Sequence, residues 1–501
     1  MPAKPEGLLD RDLMSEITLQ PTAWKPARFS RWSLDAVRPE FLTLRSSNSK
    51  RSIRTTTWLD GLRGFAAFLV YLHHNQLWSH GDKGNLIYEN SFGYEGRHYF
   101  AALPFVRIFF SGGHFAVAIF FVISGYVLSI KALGHLHKGQ TQVAAEAIGS
   151  ALFRRWLRLY IPVIAVTLLW MSLRHWTGLW VDLQETKTTF REDLREWYLT
   201  FKNYSFVFSE NTFAFSEMYH QHTWSIPIEF KGSIVIYTAV PALSRCTKSA
   251  RLWCEVGLIT YFLYIVDGYY GALFMAGMLL CDLDLLAQYD QLPRFLDVLS
   301  GFKEFIFFHL FIVALYLGGV PSFDAPNIDR AALIAKSPGW VWLSHLKPQA
   351  VFDAKWFYLF WAAFLTVASI PRMPYLKRFF ETQLCQYLAR ISFALYLVHG
   401  LVIWSLSDRL YAAVGLERPK HKDGIPQWIG KFPISKKGPM GLELAFWAPQ
   451  VIILPVTLYL AEVITKLIDE SSVRFTNWLY RKTLAQTQRQ PLHKRSFSSA
   501  C

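Results

Sequence analysis

Residues 57–76, TWLDGLRGFAAFLVYLHHNQ, constrain the fold of this chain more than any other stretch. With Leu77 they form a mostly apolar run that, at helical rise, crosses roughly 30 Å of hydrocarbon. The run nonetheless holds Asp60, Arg63, His73 and His74. Ionisable groups in a membrane-length segment are costly unless they face a cavity, a partner or a substrate. Arg63 and His74 are eleven residues apart, about three helical turns, so they fall within roughly 20° of each other on one face. His73 points elsewhere. Spacing alone leaves two readings open: an interfacial anchor with histidines snorkelling at the far end, or a functional pair lining a cavity.

Composition extends the membrane reading to the whole chain. A soluble protein of 501 residues would divide into several domains. Instead, 52% of residues are hydrophobic, 16% aromatic and only 18% charged, which predicts one all-α, polytopic membrane helical bundle. The net charge of +15 does not imply nucleic acid, because the basic residues gather in the tails and short loops, where topology and lipid headgroups account for them. Cys246, Cys254, Cys281, Cys385 and Cys501 have no metal or redox spacing and imply no disulfide framework. The chain contains no nucleotide-binding glycine loop, no zinc-ligand spacing and no internal repeat.

About ten transmembrane helices are expected, near 57–77, 112–131, 157–173, 222–243, 252–266, 269–287, 303–320, 353–370, 384–405 and 443–466. Lys25, Arg28, Arg31, Arg38, Arg45, Lys50, Arg51 and Arg54 precede the first span, which makes the N-terminus cytoplasmic. An even number of spans returns the C-terminus to the same side. The expected division is a basic tail over 1–56, a membrane domain over 57–468 and a second cytoplasmic tail over 469–501. One loop, 406–442, is basic although this topology puts it outside; later loops obey the charge rule less strictly.

Within the spans, polar residues fall at few places. Ser124-Gly125 allows close backbone approach and an interhelical hydrogen bond. Arg154, Arg155 and Arg158 open the third span, either as a topological anchor or as a bidentate cradle for phosphates. Glu229 sits one to two turns inside the fourth span and needs a partner, either a cation such as Lys231 or an active-site histidine. Ser392, Tyr396 and His399 follow i, i+4, i+7 spacing and share one face, as interhelical glue or a cavity lining.

Five of these stretches together resemble a known family. They are Asp60-Gly-Leu-Arg-Gly64 with Arg63-x10-His74, FFVISGYVLS at 120–129, the arginines at 154–158, Trp224 with Glu229, and ISFALYLVH at 391–399. In this order they resemble the acyltransferase-3 family of integral membrane O-acyltransferases, over roughly Thr57 to Arg474. The chain departs from the family's closing Glu-x-Pro turn, having Glu470-Ser-Ser-Val.

The resemblance implies transfer of an acyl group, usually acetyl from acetyl-CoA, to a hydroxyl. Such a transfer needs a base, a carboxylate to orient it, and positive charge for the CoA phosphates or the oxyanion. His74 and Glu229 are the expected base and carboxylate, and Arg63 is the third expected catalytic residue, supplying positive charge. Arg155, Arg158 and Ser124 are expected on the acyl-CoA, and Trp224, Ser392, Tyr396 and His399 around the acceptor. Arg63 lies toward the inner side and His74 roughly 16 Å further out, so CoA is expected to dock from the cytoplasm. The expected partners are acyl-CoA, the lipid bilayer and a small-molecule hydroxyl acceptor, with no permanently bound cofactor, no metal and no nucleic acid. The aromatic-rich spans favour a terpenoid- or polyketide-like acceptor over a carbohydrate or a lipid. A transporter, the other class with intramembrane charge, calls for repeat symmetry between halves.

Overall fold

The computed structural model describes residues 56–182, 185–209, 212–294, 298–322 and 329–484. The basic residues from Lys25 to Arg54 and Cys501, on which the orientation and thiol readings partly rest, lie outside the described residues. Among the described residues the regular elements are helical, with no strand. The longer helices are α1 (Thr57–Tyr88), α2 (Gly113–His137), α3 (Thr141–Thr177), α4 (Phe190–Tyr204), α5 (Ser225–Ala242) and α6 (Lys248–Thr260). They continue as α7 (Tyr269–Gln288), α8 (Lys303–Gly318), α9 (Lys355–Ser369), α10 (Gln383–Val402), α11 (Leu444–Ile464) and α12 (Glu470–Thr483).

Each of the ten expected apolar stretches falls on a helix, but the number of crossings is a separate matter. By length and hydropathy, α2, α3, α7, α10 continued to Val414, and α11 continued to Thr483 can cross a membrane. A sixth is possible if Lys355–Arg372 and Pro374–Phe380, bent by 102°, form one broken span. The helices therefore make a multi-pass membrane protein, while the count of about ten is not reached by this measure. The reasons are local. Helices α6 and α8 have only 13 and 16 residues. In α1 and α5 the hydropathy is diluted by Asp60, Arg63 and the histidines, and by Glu229 and Lys231.

Helix α2 is the hub. From Gly113 to Ile130 it has no Asp, Glu, Lys or Arg, and it packs against α1, α3, α5, α7 and α9. Lipid tails are as apolar as leucine, so such helices associate through close packing rather than through escape from water. The α2–α7 contact shows this directly. A Cβ on Gly125 would lie 2.0 Å from the Phe274 carbonyl oxygen, and one on Gly277 would lie 2.1 Å from that of Val122. Helix α1 is held between α2 and α10, and α11 lies outside α10 with Val451 75% and Ile452 51% exposed, a face suited to lipid.

Two peripheral helices complete the unit. Helix α4 starts with a capping box, Thr189 with Glu192, and turns Trp197, Phe201 and Tyr204 inward toward Tyr160 of α3. Helix α12 lies along α3, where Arg154 Nη1 donates to Asn477 Oδ1 at 2.5 Å and Phe153 meets Tyr480 at 5.3 Å. The packed helices thus run to Thr483, past the boundary at 468 expected from the sequence.

Overpacking a close helix contact typically costs about 1–3 kcal/mol. Gly277→Leu is expected to lower the melting temperature of the detergent-solubilised protein by several degrees and to reduce its monodisperse yield. Gly134→Ala, with nothing within 4 Å of the added Cβ, is expected to leave both unchanged. Equal melting temperatures for the two variants would refute the close-packed α2–α7 contact.

Candidate active site

Many of the polar residues singled out in the sequence gather at two cavities. The larger, about 660 Å³, is lined by His73, His74, His114 and His222, by Trp224 and Trp356, and by charged residues that include Lys355 and Arg418. The smaller, about 300 Å³, is lined by Arg63, Ser124, Arg155, Arg158, Glu229, Arg390, Ser392, Tyr396 and Asp469.

In the larger cavity, α1 presents His73 and His74, α2 opens with His114, and the turn Gln221–Trp224 before α5 supplies His222 and Trp224. His399, near the end of α10, stands beside His74 with its ring 5.1 Å away. His399 Nδ1 lies 3.1 Å from the Leu395 carbonyl, which can only accept, so that nitrogen carries the proton. Neutral His399 then offers a lone pair on Nε2, which faces His74 Nδ1 at 3.1 Å. His74 Nδ1 donates, and its Nε2 is left with a lone pair. This tautomer is assigned from the hydrogen-bond chain. His222 closes the group, with its ring 4.0 Å from that of His74 and 4.7 Å from that of His399. Gly400 makes room for it, since a Cβ there would lie 2.3 Å from His222 Nδ1.

The smaller cavity is organised by charge. Arg155 ion-pairs with Glu229 Oε1 through Nη2 and donates to Ser233 Oγ at 2.8 Å through Nε. Ser124 donates to the same Glu229 oxygen at 2.6 Å. Arg63 pairs with Asp60 at 3.1 Å, and Arg390 with Glu462 at 3.3 Å. The lining has four guanidinium groups, at Arg63, Arg155, Arg158 and Arg390, against the carboxylates of Glu229 and Asp469. Three of the four have carboxylate partners, and Arg158 lies near Asp469.

Between the two cavities stands Tyr396. Its hydroxyl hydrogen-bonds Ser225 Oγ at 2.6 Å and donates to the His222 carbonyl oxygen. Ser225 lines the smaller cavity and its neighbour Trp224 the larger, so the first turn of α5 forms part of the partition.

Some expected associations are met and others are not. His74 and His399 come together, and Trp224 joins their cavity, while Arg63, Arg155, Arg158 and Ser124 come together in the other. Glu229 does not meet His74; it belongs to Arg155 and Ser124. Lys231, the other partner considered for it, donates to the Ser209 carbonyl at 3.0 Å. Arg63 shares a helix face with His74 but not a cavity. Ser392, Tyr396 and His399 divide among the arginine cavity, the partition and the histidine group. Arg154 turns away, toward α12. His73, read as pointing elsewhere, is buried and lines the larger cavity. His114 and His222 were missed. Their only signal was position, in SGGHF and HQHTW directly before apolar runs.

A family model described as an acyltransferase domain matches residues 56–465. The chain belongs to the acyltransferase-3 family. The membrane bundle carrying both cavities is thus its acyltransferase domain, and the protein is an acyltransferase. The chain is 28% identical over 498 residues to a Phomopsis amygdali protein named O-acetyltransferase PaAT-1, covering 93% of this chain and 92% of that one. It is 24% identical to acyltransferase clz18 of Cochliobolus lunatus and 22% identical to acyltransferase R4 of a Phoma species. Each of these two matches covers 62% of this chain and 72% of the relative. No solved structure matches the chain.

Because Glu229 serves Arg155 rather than His74, Glu229→Gln is expected to raise the KM for the acyl donor several-fold. The pH dependence of kcat should stay unchanged. A shifted kcat–pH profile with an unaltered donor KM would instead return Glu229 to the base.

Proposed function

We propose that this acyltransferase moves an acyl group, acetyl in the first instance, from acyl-CoA to a hydroxyl of a small natural product of terpenoid or polyketide type. The observation that carries this reading is the separation of an arginine cavity from a histidine cavity by one partition. The two match the two ends of the donor. The CoA phosphates need bidentate cations, which Arg155, Arg158 and Arg63 offer. The thioester must reach a base, and Arg63 and His74 are eleven residues apart on one helix, roughly 16 Å, a span suited to an extended pantetheine arm. Tyr396 and Ser225 lie on the way. In this reading the arginine cavity opens to the cytoplasm, together with both termini, and the histidine cavity opens to the opposite side.

The chemistry assigned to the histidine group balances. His74 Nε2 takes the proton of the acceptor hydroxyl as its oxygen attacks the thioester carbonyl. The resulting tetrahedral intermediate expels the CoA thiolate, which recovers that proton from His74. His399 is the positioning residue, because its Nε2 accepts the His74 Nδ1 proton and fixes the tautomer that exposes Nε2. The indoles of Trp224 and Trp356 supply an apolar wall for the acceptor.

His74→Ala is expected to reduce acceptor-dependent release of free thiol from acetyl-CoA by roughly 10²–10⁴-fold, with normal yield of folded protein. Arg155→Lys and Arg158→Lys preserve the charge but not the fork, so they are expected to raise the acetyl-CoA KM while kcat falls little. Normal turnover by His74→Ala would remove the base assignment, and an unaltered KM in both lysine variants would remove the phosphate assignment.

A further inference from the structure

His73, Glu89 and His114 converge at the wall of the larger cavity, on the side of α1 away from His399. One potential ligand atom from each lies within 4.8 Å of the other two. They come from three separate segments: the outer half of α1, the residue following that helix, and the first turn of α2. His73 is 3% exposed and Glu89 5%. The His73 ring hydrogen-bonds the Phe110 backbone, while its buried Nδ1 has no hydrogen-bond partner. The chain is built closely around this ring, since a Cβ on Gly113 would lie 2.6 Å from His73 Cδ2.

We propose that these three residues bind one divalent transition-metal cation of the zinc class, with its open coordination positions toward the cavity. Two imidazoles and one carboxylate match borderline-soft divalent ions, and three protein ligands beside a cavity are the pattern of sites that keep a position open. The backbone hydrogen bond on the His73 ring acts as the outer contact that orients a ligating imidazole. Buried Arg107 interacts with the Glu89 carboxylate, so a bound ion would share Glu89 with that guanidinium, while two further cations are drawn off by Asp353. Arg330 and Lys355 are both turned to Asp353, at 2.6 and 3.3 Å. A second group of converging nitrogens, from His74, His222 and His399, is a poorer candidate. It has no carboxylate, and His74 and His399 already satisfy one another at 3.1 Å.

The site was not visible in the sequence because its ligands lie far apart along the chain, in no zinc-ligand spacing. It runs against the sequence expectation of no metal. With its ring centroid 5.0 Å from that of His74, His73 would hold the ion beside the acceptor end of the cavity. A hydroxyl or carbonyl oxygen could bind there in an open position. The inference goes beyond the acyl-transfer reading and stands without it.

The test is metal content of the full-length protein purified in detergent, read by mass spectrometry without substrate. About one zinc-class ion per chain is expected, falling at least roughly tenfold in a Glu89→Gln/His114→Ala double variant and unchanged in His222→Ala. To guard against a misfolded variant, wild-type protein stripped with a chelator is refilled with Co²⁺. Ligand-field absorption saturating near one equivalent is expected. No metal as purified together with no Co²⁺ spectrum would overturn the proposal. So would a metal content that follows His222 rather than Glu89 and His114. Because neither readout uses turnover, failure here leaves the acyl-transfer reading standing, and failure of that reading leaves this site standing.

Discussion

The pairing of Arg155 with Glu229 is the interaction on which the part of the bundle around the arginine cavity depends. Both groups lie in helices surrounded by apolar neighbours, where an ion without a partner is costly. Removing one member of such a pair typically costs about 3–5 kcal/mol because the other is stranded. Ser124 donates to Glu229 and Ser233 accepts from Arg155, which ties α2, α3 and α5 together at one level. The arginine pocket is thus not an opening left between helices. It is the place where three helices are obliged to meet.

The part around the histidine cavity follows a different rule. There a cluster of imidazoles sits beside charged groups such as Glu89, Asp353 and Lys355, and imidazoles can remain neutral and be satisfied by single hydrogen bonds to carbonyls or to each other. His399 takes the Leu395 carbonyl, His220 approaches the Leu397 carbonyl at 2.5 Å, and His74 takes His399. The imidazoles and aromatic walls around His74 are suited to an uncharged reacting alcohol. A region of guanidinium groups is suited to phosphate. Tyr396 separates the two with a hydroxyl that already holds Ser225 and the His222 carbonyl, so the partition has hydrogen bonds to exchange if it moves.

Much of this was legible in the sequence. Apolar length located ten of the twelve longer helices, α4 and α12 excepted, and the order of five short stretches identified the family. Position along α1 also separated Arg63 from His74, and the two line different cavities. The pairings across helices were not legible. Helical spacing states which residues share a face, but not which neighbour that face meets, because that depends on helix rotation and tilt in the bundle. Glu229 was therefore joined to the wrong group, and Ser392 to the wrong cavity. His73 was set aside because it lies on a different face from His74, yet α1 is surrounded and both faces line the same chamber. His114 and His222 were passed over because they sit where a helix begins, outside the periodic runs that drew attention. Helix α12 was read as tail because its residues are polar, although Phe475 and Trp478 recur at helical spacing.

The central claim is that one donor molecule joins the two cavities, its phosphates among the arginines and its thioester at His74. The most direct measurement is a cryo-electron microscopy structure of the protein with a non-hydrolysable acetyl-CoA analogue. The account predicts phosphate density within hydrogen-bond distance of Arg155 and Arg158. The chain of the analogue should pass Tyr396, and its acyl carbonyl should lie beside His74, leaving about 3–3.5 Å for the attacking oxygen. An analogue seated with its phosphates in the histidine cavity, or held wholly on the arginine side of Tyr396 with the partition closed, would contradict it.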